Sequence, residues 1–79
     1  MTNTERELLQ NRGISHGKLG QHEQAVTDFS AVLELDPSNL SALFNRGAAY
    51  DLLDQHELAV SDLMSAMELE GAATNETPP

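Results

Sequence analysis

A repeat with a period of 34 residues organises this chain. Asn11-Arg12-Gly13 returns as Asn45-Arg46-Gly47. At the same offset Leu9 pairs with Leu43, Leu19 with Leu53, and Gln21-His22-Glu23 with Gln55-His56-Glu57. Ala25-Val26 pairs with Ala59-Val60, Asp28 with Asp62, and Glu34-Leu35 with Glu68-Leu69. That is 13 identities in 34 positions. A fixed period of this size marks a protein built by stacking copies of one supersecondary unit. The 79 residues hold two copies, which makes one small domain with a modest core.

Composition narrows the partners. Thirteen acids against four bases give a net charge of −9. Nucleic acids and anionic membranes select basic surfaces, so neither is expected here. There is no cysteine, which excludes disulfides and thiolate zinc sites. No apolar run approaches the ~20 residues of a membrane span. Met1-Thr2-Asn3-Thr4-Glu5 lacks the basic and apolar regions of a signal peptide, so a cytoplasmic location is expected.

The apolar spacing is helical throughout. Residues 1–4 read as a frayed lead, and Thr4 with Glu7 as a capping box. The first helix then runs to about Gly17, with Leu9, Gly13 and His16 on one face. Gly20 suits a turn at positive φ. A second helix covers about Gln21 to Leu35, with Ala25, Phe29 and Val32 as its stripe and Val26 and Leu33 widening it. Asp36-Pro37-Ser38-Asn39 stops that helix, and Ser38 or Asn39 caps the next. The third helix spans about Leu40 to Leu52 and the fourth about Gln55 to Glu70, with Gly71 as its C-terminal cap. Residues 72–79 are polar, end in proline, and read as a disordered tail.

Gly13 and Gly47 fall mid-helix, where glycine costs about 1 kcal/mol relative to alanine. Placing it twice at equivalent positions implies close helix packing, with Ala25 and Ala59 as the small partners. A phosphate-binding role is excluded by the lack of a preceding strand and of a glycine cluster.

This constellation resembles the tetratricopeptide repeat family, a helix–turn–helix unit with small residues where Gly13, Ala25, Gly47 and Ala59 stand. Leu33-Glu34-Leu35-Asp36-Pro37 resembles the family's usual ending. On that register repeat one is Arg6–Asn39 and repeat two Leu40–Ala73, within a repeat domain of residues 5–71. There are departures. Leu9 and Leu43 stand where an aromatic is common, Arg12 and Arg46 where leucine is common, and Gly71 where the closing proline belongs. The resemblance implies an all-α fold of two stacked hairpins, four antiparallel helices forming a fragment of a right-handed α-solenoid.

No spacing suggests a nucleophile–base pair, a metal cluster, a phosphate loop or a perturbed carboxylate pair, so no enzyme activity, cofactor, metal or small-molecule substrate is expected. The resemblance implies a scaffold that binds a peptide or helix of another protein. The groove, carried over by position, would present Gln10, Asn11, Ile14 and Lys18 from repeat one. Repeat two would add Ser41, Phe44, Asn45, Ala48 and Leu52. Ile14, Phe44 and Leu52 would offer apolar contact, while Asn11 and Asn45 can donate to and accept from a peptide backbone. Burial between helices is the alternative for Ile14 and Phe44. Some relatives clamp the carboxylate of chaperone tails. Asn45 matches one clamp position, but Gln10 replaces its lysine and Ile14 its asparagine, so strong binding of such tails is not expected.

Three further expectations come from the residues themselves. Arg12 precedes Asp28, and Arg46 precedes Asp62, by 16 residues, a spacing that suits ion pairs across each hairpin or, for Arg46, with Asp28 of the neighbouring unit. His16, His22 and His56 lack metal-ligand spacing and are expected as half-buried aromatics near the turns. Finally, Val60, Met64 and Met67 form one stripe on the fourth helix, where repeat one has Val26, Ser30 and Leu33. An apolar stripe at an open end needs a cover. That cover would be a second copy, a partner helix or a neighbouring domain of a longer chain. The stripe is therefore read as a self-association or docking face, and self-association as a homodimer is the alternative function.

Overall fold

The computed structural model describes residues 2–73. Four helices follow one another: α1 (Thr2–Lys18), α2 (His22–Leu35), α3 (Leu40–Leu52) and α4 (His56–Ala73). No strand occurs among the described residues. Short turns force consecutive helices to double back. α1 packs on α2, α3 on α4, and α2 joins the two hairpins by packing on α3.

The two hairpin turns have the same backbone chemistry with different residues. Gly20 takes φ +79°. Around it the Gln21 amide donates to His16 O at 2.8 Å and the Gly20 amide to Gly17 O at 3.0 Å. That double closure is a Schellman motif, which satisfies carbonyls at the helix end. Repeat two reproduces it, with Gln55 donating to Tyr50 O at 2.8 Å and Asp54 to Asp51 O at 3.0 Å. There Asp54 occupies the left-handed region at φ +63°, a conformation that aspartate tolerates better than most side chains.

Between the hairpins, Asn39 caps α3 by accepting from the Ala42 amide at 2.9 Å. Its own amide nitrogen donates to Asp36 Oδ2 at 3.2 Å, and Arg6 Nη1 donates to the same oxygen at 2.9 Å. Two expected helix ends differ. α1 begins at Thr2, so Thr4 lies within its first turn rather than capping it, and residues 2–4 of the expected lead join the helix, while Met1 lies outside the described residues. α4 runs to Ala73, so Gly71 lies inside it. The remainder of the expected tail, residues 74–79, lies outside the described residues.

The core forms where α2 meets its neighbours. Ala25, Phe29 and Val32 of α2 are buried with Ala42 and Ala49 of α3, and Leu9, Ile14, Val26 and Leu33 pack around them. Ala59 and Ala66 bury the inner face of α4. The repeated glycines serve close approach, though Gly13 faces a larger partner than Ala25. A Cβ on Gly13 would stand 2.9 Å from the Phe29 ring and 3.2 Å from Asp28 Cβ. A Cβ on Gly47 would stand 3.4 Å from Leu63 and 3.5 Å from Ala59 O. Among the described residues no helix is long and apolar enough to cross a membrane.

Candidate functional site

The first helices of the two hairpins, α1 and α3, flank a depression of about 260 Å³ floored by α2. Ile14, Gly17 and Lys18 come from α1, and Asn45, Ala48 and Leu52 from α3. Ala25 and Phe29 of α2 form its floor, Gly13 of α1 and Ala49 of α3 complete the lining, and His22 stands at the start of α2. Five of the expected groove residues therefore meet here: Ile14, Lys18, Asn45, Ala48 and Leu52. Two more adjoin through hydrogen bonds. Gln10 Nε2 donates to Ser41 Oγ at 2.7 Å, and Asn45 Nδ2 to the same hydroxyl at 3.4 Å. Gln10 Oε1 is buried without a partner, so that amide is directed inward. Asn11 and Phe44 are exposed and lie outside the lining.

Gly17 and His22 were not anticipated in this lining. Gly17 lies four residues after Gly13, one turn along the same helix face. A Cβ there would meet nothing within 4 Å, so its absence widens the depression. Spacing could have found Gly17. It could not have found His22, which depends on how closely α2 starts against α1.

One buried carboxylate holds each hairpin in place, Asp28 in the first and Asp62 in the second. Arg12 grips Asp28 with two bonds, Nε to Oδ2 at 2.9 Å and Nη2 to Oδ1 at 2.8 Å. Arg46 grips Asp62 in the same way, at 2.8 and 2.7 Å. Both pairs thus form across a hairpin, as the spacing suggested. Arg46 is not bound to Asp28. Its Nη1 instead donates to Ser30 Oγ at 3.0 Å, and its guanidinium sits 5.6 Å from the Tyr50 ring centroid. One side chain therefore fastens α3 to α4 and to α2. His16 Nε2 adds a second cationic neighbour for Asp28 at 3.7 Å when protonated.

These contacts set the direction in which the pKa values of the groups move. The hydrogen bonds from Arg12 hold the Asp28 carboxyl below the usual aspartate range, against an opposing push from desolvation. The hydrogen bond to Asp62 raises Arg46 above its ordinary value. A carboxylate accepting two aligned N–H donors favours its charged form.

The outer face of α4 is open. Val60, Met64 and Met67 are exposed by 54%, 56% and 65%, whereas Val26, Ser30 and Leu33 on α2 are half-buried. Met64, Met67 and Glu68 border a shallow cleft there. His16 and His22 are half-buried as expected, but His56 is exposed. The acids of the turn draw it outward, with Nδ1 2.6 Å from Asp51 Oδ1 and Nε2 3.5 Å from Asp54 Oδ1. Repeat one has no acid at either equivalent position: Gly17 and Gly20 stand there.

Residues 16–53 match the family model described as TPR repeat, and residues 40–72 match the one described as tetratricopeptide repeat. The chain belongs to the tetratricopeptide repeat (TPR) family. No curated protein matches it. The first match begins near the end of α1 and spans α2 and α3, so it covers the junction between the hairpins. TPR repeats are generally protein–protein interaction modules and typically non-catalytic. An arginine replaces the common TPR leucine at positions 12 and 46. It neutralises a buried aspartate on the paired helix, and in repeat two it also ties adjacent TPR units together.

Proposed function

We propose that this TPR chain is a non-catalytic scaffold that takes a peptide or helix of a partner protein in the depression between α1 and α3. The observation that supports this most is that Ile14, Lys18, Asn45, Ala48 and Leu52, drawn from both repeats, line one concave surface. Its floor is apolar and fixed by the core, so an entering side chain meets little reorganisation. Asn45 supplies a polar handle for backbone, and Lys18 is the one Lys or Arg in the lining. Asn11 and Phe44 would serve only a ligand that extends beyond the depression.

A single lysine makes this groove a poor clamp for a terminal carboxylate. An acidic C-terminal peptide should therefore bind weakly. Micromolar affinity, lost when its carboxylate is amidated, would overturn that statement. The reading as a whole is tested by selecting peptides against the chain from a random library and titrating them against Ala48→Glu. Ala48 is exposed on the depression. We expect a loss of tenfold or more, and unchanged affinity would remove the groove from consideration.

Self-association through Val60, Met64 and Met67 has the exposure of that stripe in its favour. The charge of the chain works against it.

A further inference from the structure

The molecule contains one helix face in two conditions, covered on α2 and open on α4. On α2, the stripe of Val26, Ser30 and Leu33 is half-buried where α3 packs, and Ser30 Oγ receives Arg46 Nη1. On α4 the equivalent stripe is Val60, Met64 and Met67, and no described element packs over it. The covered form shows what shape seats on this face: an α-helix. The residues that differ show its chemistry.

Met64 stands where Ser30 accepts a hydrogen bond. A thioether is a weak acceptor, so a helix laid down like α3 with an arginine at this place would lose that bond. The α1 helix of a second copy carries such an arginine, Arg12, in the position equivalent to Arg46. Head-to-tail stacking of copies is therefore mismatched. Charge disfavours a symmetric pair as well. Glu57 and Glu68 lie seven residues before and four after Met64, along the same side of α4, and both are exposed. Glu68 borders the cleft that Met64 and Met67 form. α4 carries no Lys or Arg, and each copy has a net charge of −9. Two such faces brought together set glutamates against glutamates.

We propose that the outer face of α4 docks an amphipathic helix of another protein, with an apolar stripe over Val60, Met64 and Met67 and flanking Lys or Arg against Glu57 and Glu68. Methionines suit this role because their flexible side chains adjust to a partner's surface. The site is separate from the depression between α1 and α3.

The test uses two labelled synthetic helical peptides of about 18 residues. Both carry leucine at every third or fourth position. One has lysine on the flanks and its twin has glutamate. Binding to the full chain is read by fluorescence anisotropy, and the solution mass by light scattering. The lysine peptide should bind at least tenfold more tightly than its twin. Met64→Asp should weaken it at least tenfold, and Glu68→Lys should weaken it while strengthening the twin. Ala48→Glu, in the groove, should leave it unchanged. Circular dichroism checks that Met64→Asp folds, and the charge swap at Glu68 tests the site without it. Equal binding of the two peptides, or indifference to both substitutions, would overturn the proposal. So would loss of binding with Ala48→Glu, which would place the peptide in the groove. A mass near twice 8.6 kDa that Met64→Asp returns to monomer would make a second copy the occupant instead.

Discussion

α2 and α4 begin with the same His-Glu dipeptide and hold identical residues at Ala25 and Ala59, Val26 and Val60, and Asp28 and Asp62. They differ in what surrounds them. α2 lies between two helices and buries Ala25, Asp28, Phe29 and Val32. Among the described elements α4 packs on one neighbour, and Leu63, the counterpart of Phe29, remains 39% exposed. Identical residues therefore carry different weight. Val26 is half-buried while Val60 is 54% exposed, although both follow the repeated alanine. Energetic importance in a repeat protein follows from the number of neighbours a unit has, which the repeat pattern alone does not state.

The largest break in this comparison is expected at its centre. Phe29→Ala should cost about 3–5 kcal/mol, because the ring is 3% exposed and its loss leaves a cavity between α1 and α2. Leu63→Ala should cost only about 1 kcal/mol, since much of that side chain already meets water. A chain of this length has roughly 4–12 kcal/mol in total, so Phe29→Ala removes a large fraction of it. Urea unfolding followed by circular dichroism measures both. Equal losses would show that α2 and α4 are equally supported and would end the comparison.

The ion pairs come next and reverse the asymmetry. Arg46 is the better-buried arginine, with side-chain exposure of 22% against 65% for Arg12. Arg46→Ala strands the buried Asp62 carboxylate and frees Ser30, for about 3 kcal/mol. Arg12→Ala should cost less, because solvent reaches that guanidinium and His16 remains 3.7 Å from Asp28. Thermal melts should rank the two variants in that order. Acid probes the same pair more gently. The Asp28 carboxyl is lowered in the folded chain, chiefly by the Arg12 hydrogen bonds. Its stabilising contribution is therefore complete above the unfolded value of about 3.9, and is lost as pH falls through the lower folded value. The stability gap between the natural chain and Asp28→Asn should narrow as the pH drops below about 4. A gap that stays constant would mean the charge of Asp28 contributes nothing.

Much of this was legible in the residues. The period of 34 set the helical hairpins, and the interval of 16 set both ion pairs, because each is a distance along the chain that folds back on itself. What stayed hidden depends on the offset between helices. Periodicity fixes the phase of a side chain around its own axis, but not its height relative to the next helix. Gly13 was matched to Ala25, yet one further turn brings Phe29 against it. The bond from Arg46 to Ser30 crosses between units, where no repeated spacing exists to reveal it. The groove suffered similarly. Ile14, Lys18, Asn45, Ala48 and Leu52 converge, while Phe44, one turn before Ala48 on α3, lies beyond the lining of the depression. Thr4 failed as a cap because helical backbone begins upstream of it, at Thr2.

The smallest effect separates the two repeated glycines by sign. At Gly47 an added Cβ meets Leu63 at an ordinary contact distance of 3.4 Å. Gly47→Ala should therefore gain helix propensity and stabilise by up to about 1 kcal/mol. At Gly13 the same atom would lie 2.9 Å from a Phe29 ring that is 3% exposed. The ring must shift within a packed core, so Gly13→Ala should destabilise by about 1 kcal/mol after its propensity gain is counted. The two variants should melt on opposite sides of the natural chain. The cause is isolated by placing leucine at position 29, as repeat two has at 63. Phe29→Leu alone should destabilise, but adding Gly13→Ala to it should then be neutral or favourable. That non-additivity is the signature of direct contact between the two positions. If Gly13→Ala costs the same in both backgrounds, the Phe29 ring is not what keeps a glycine at position 13.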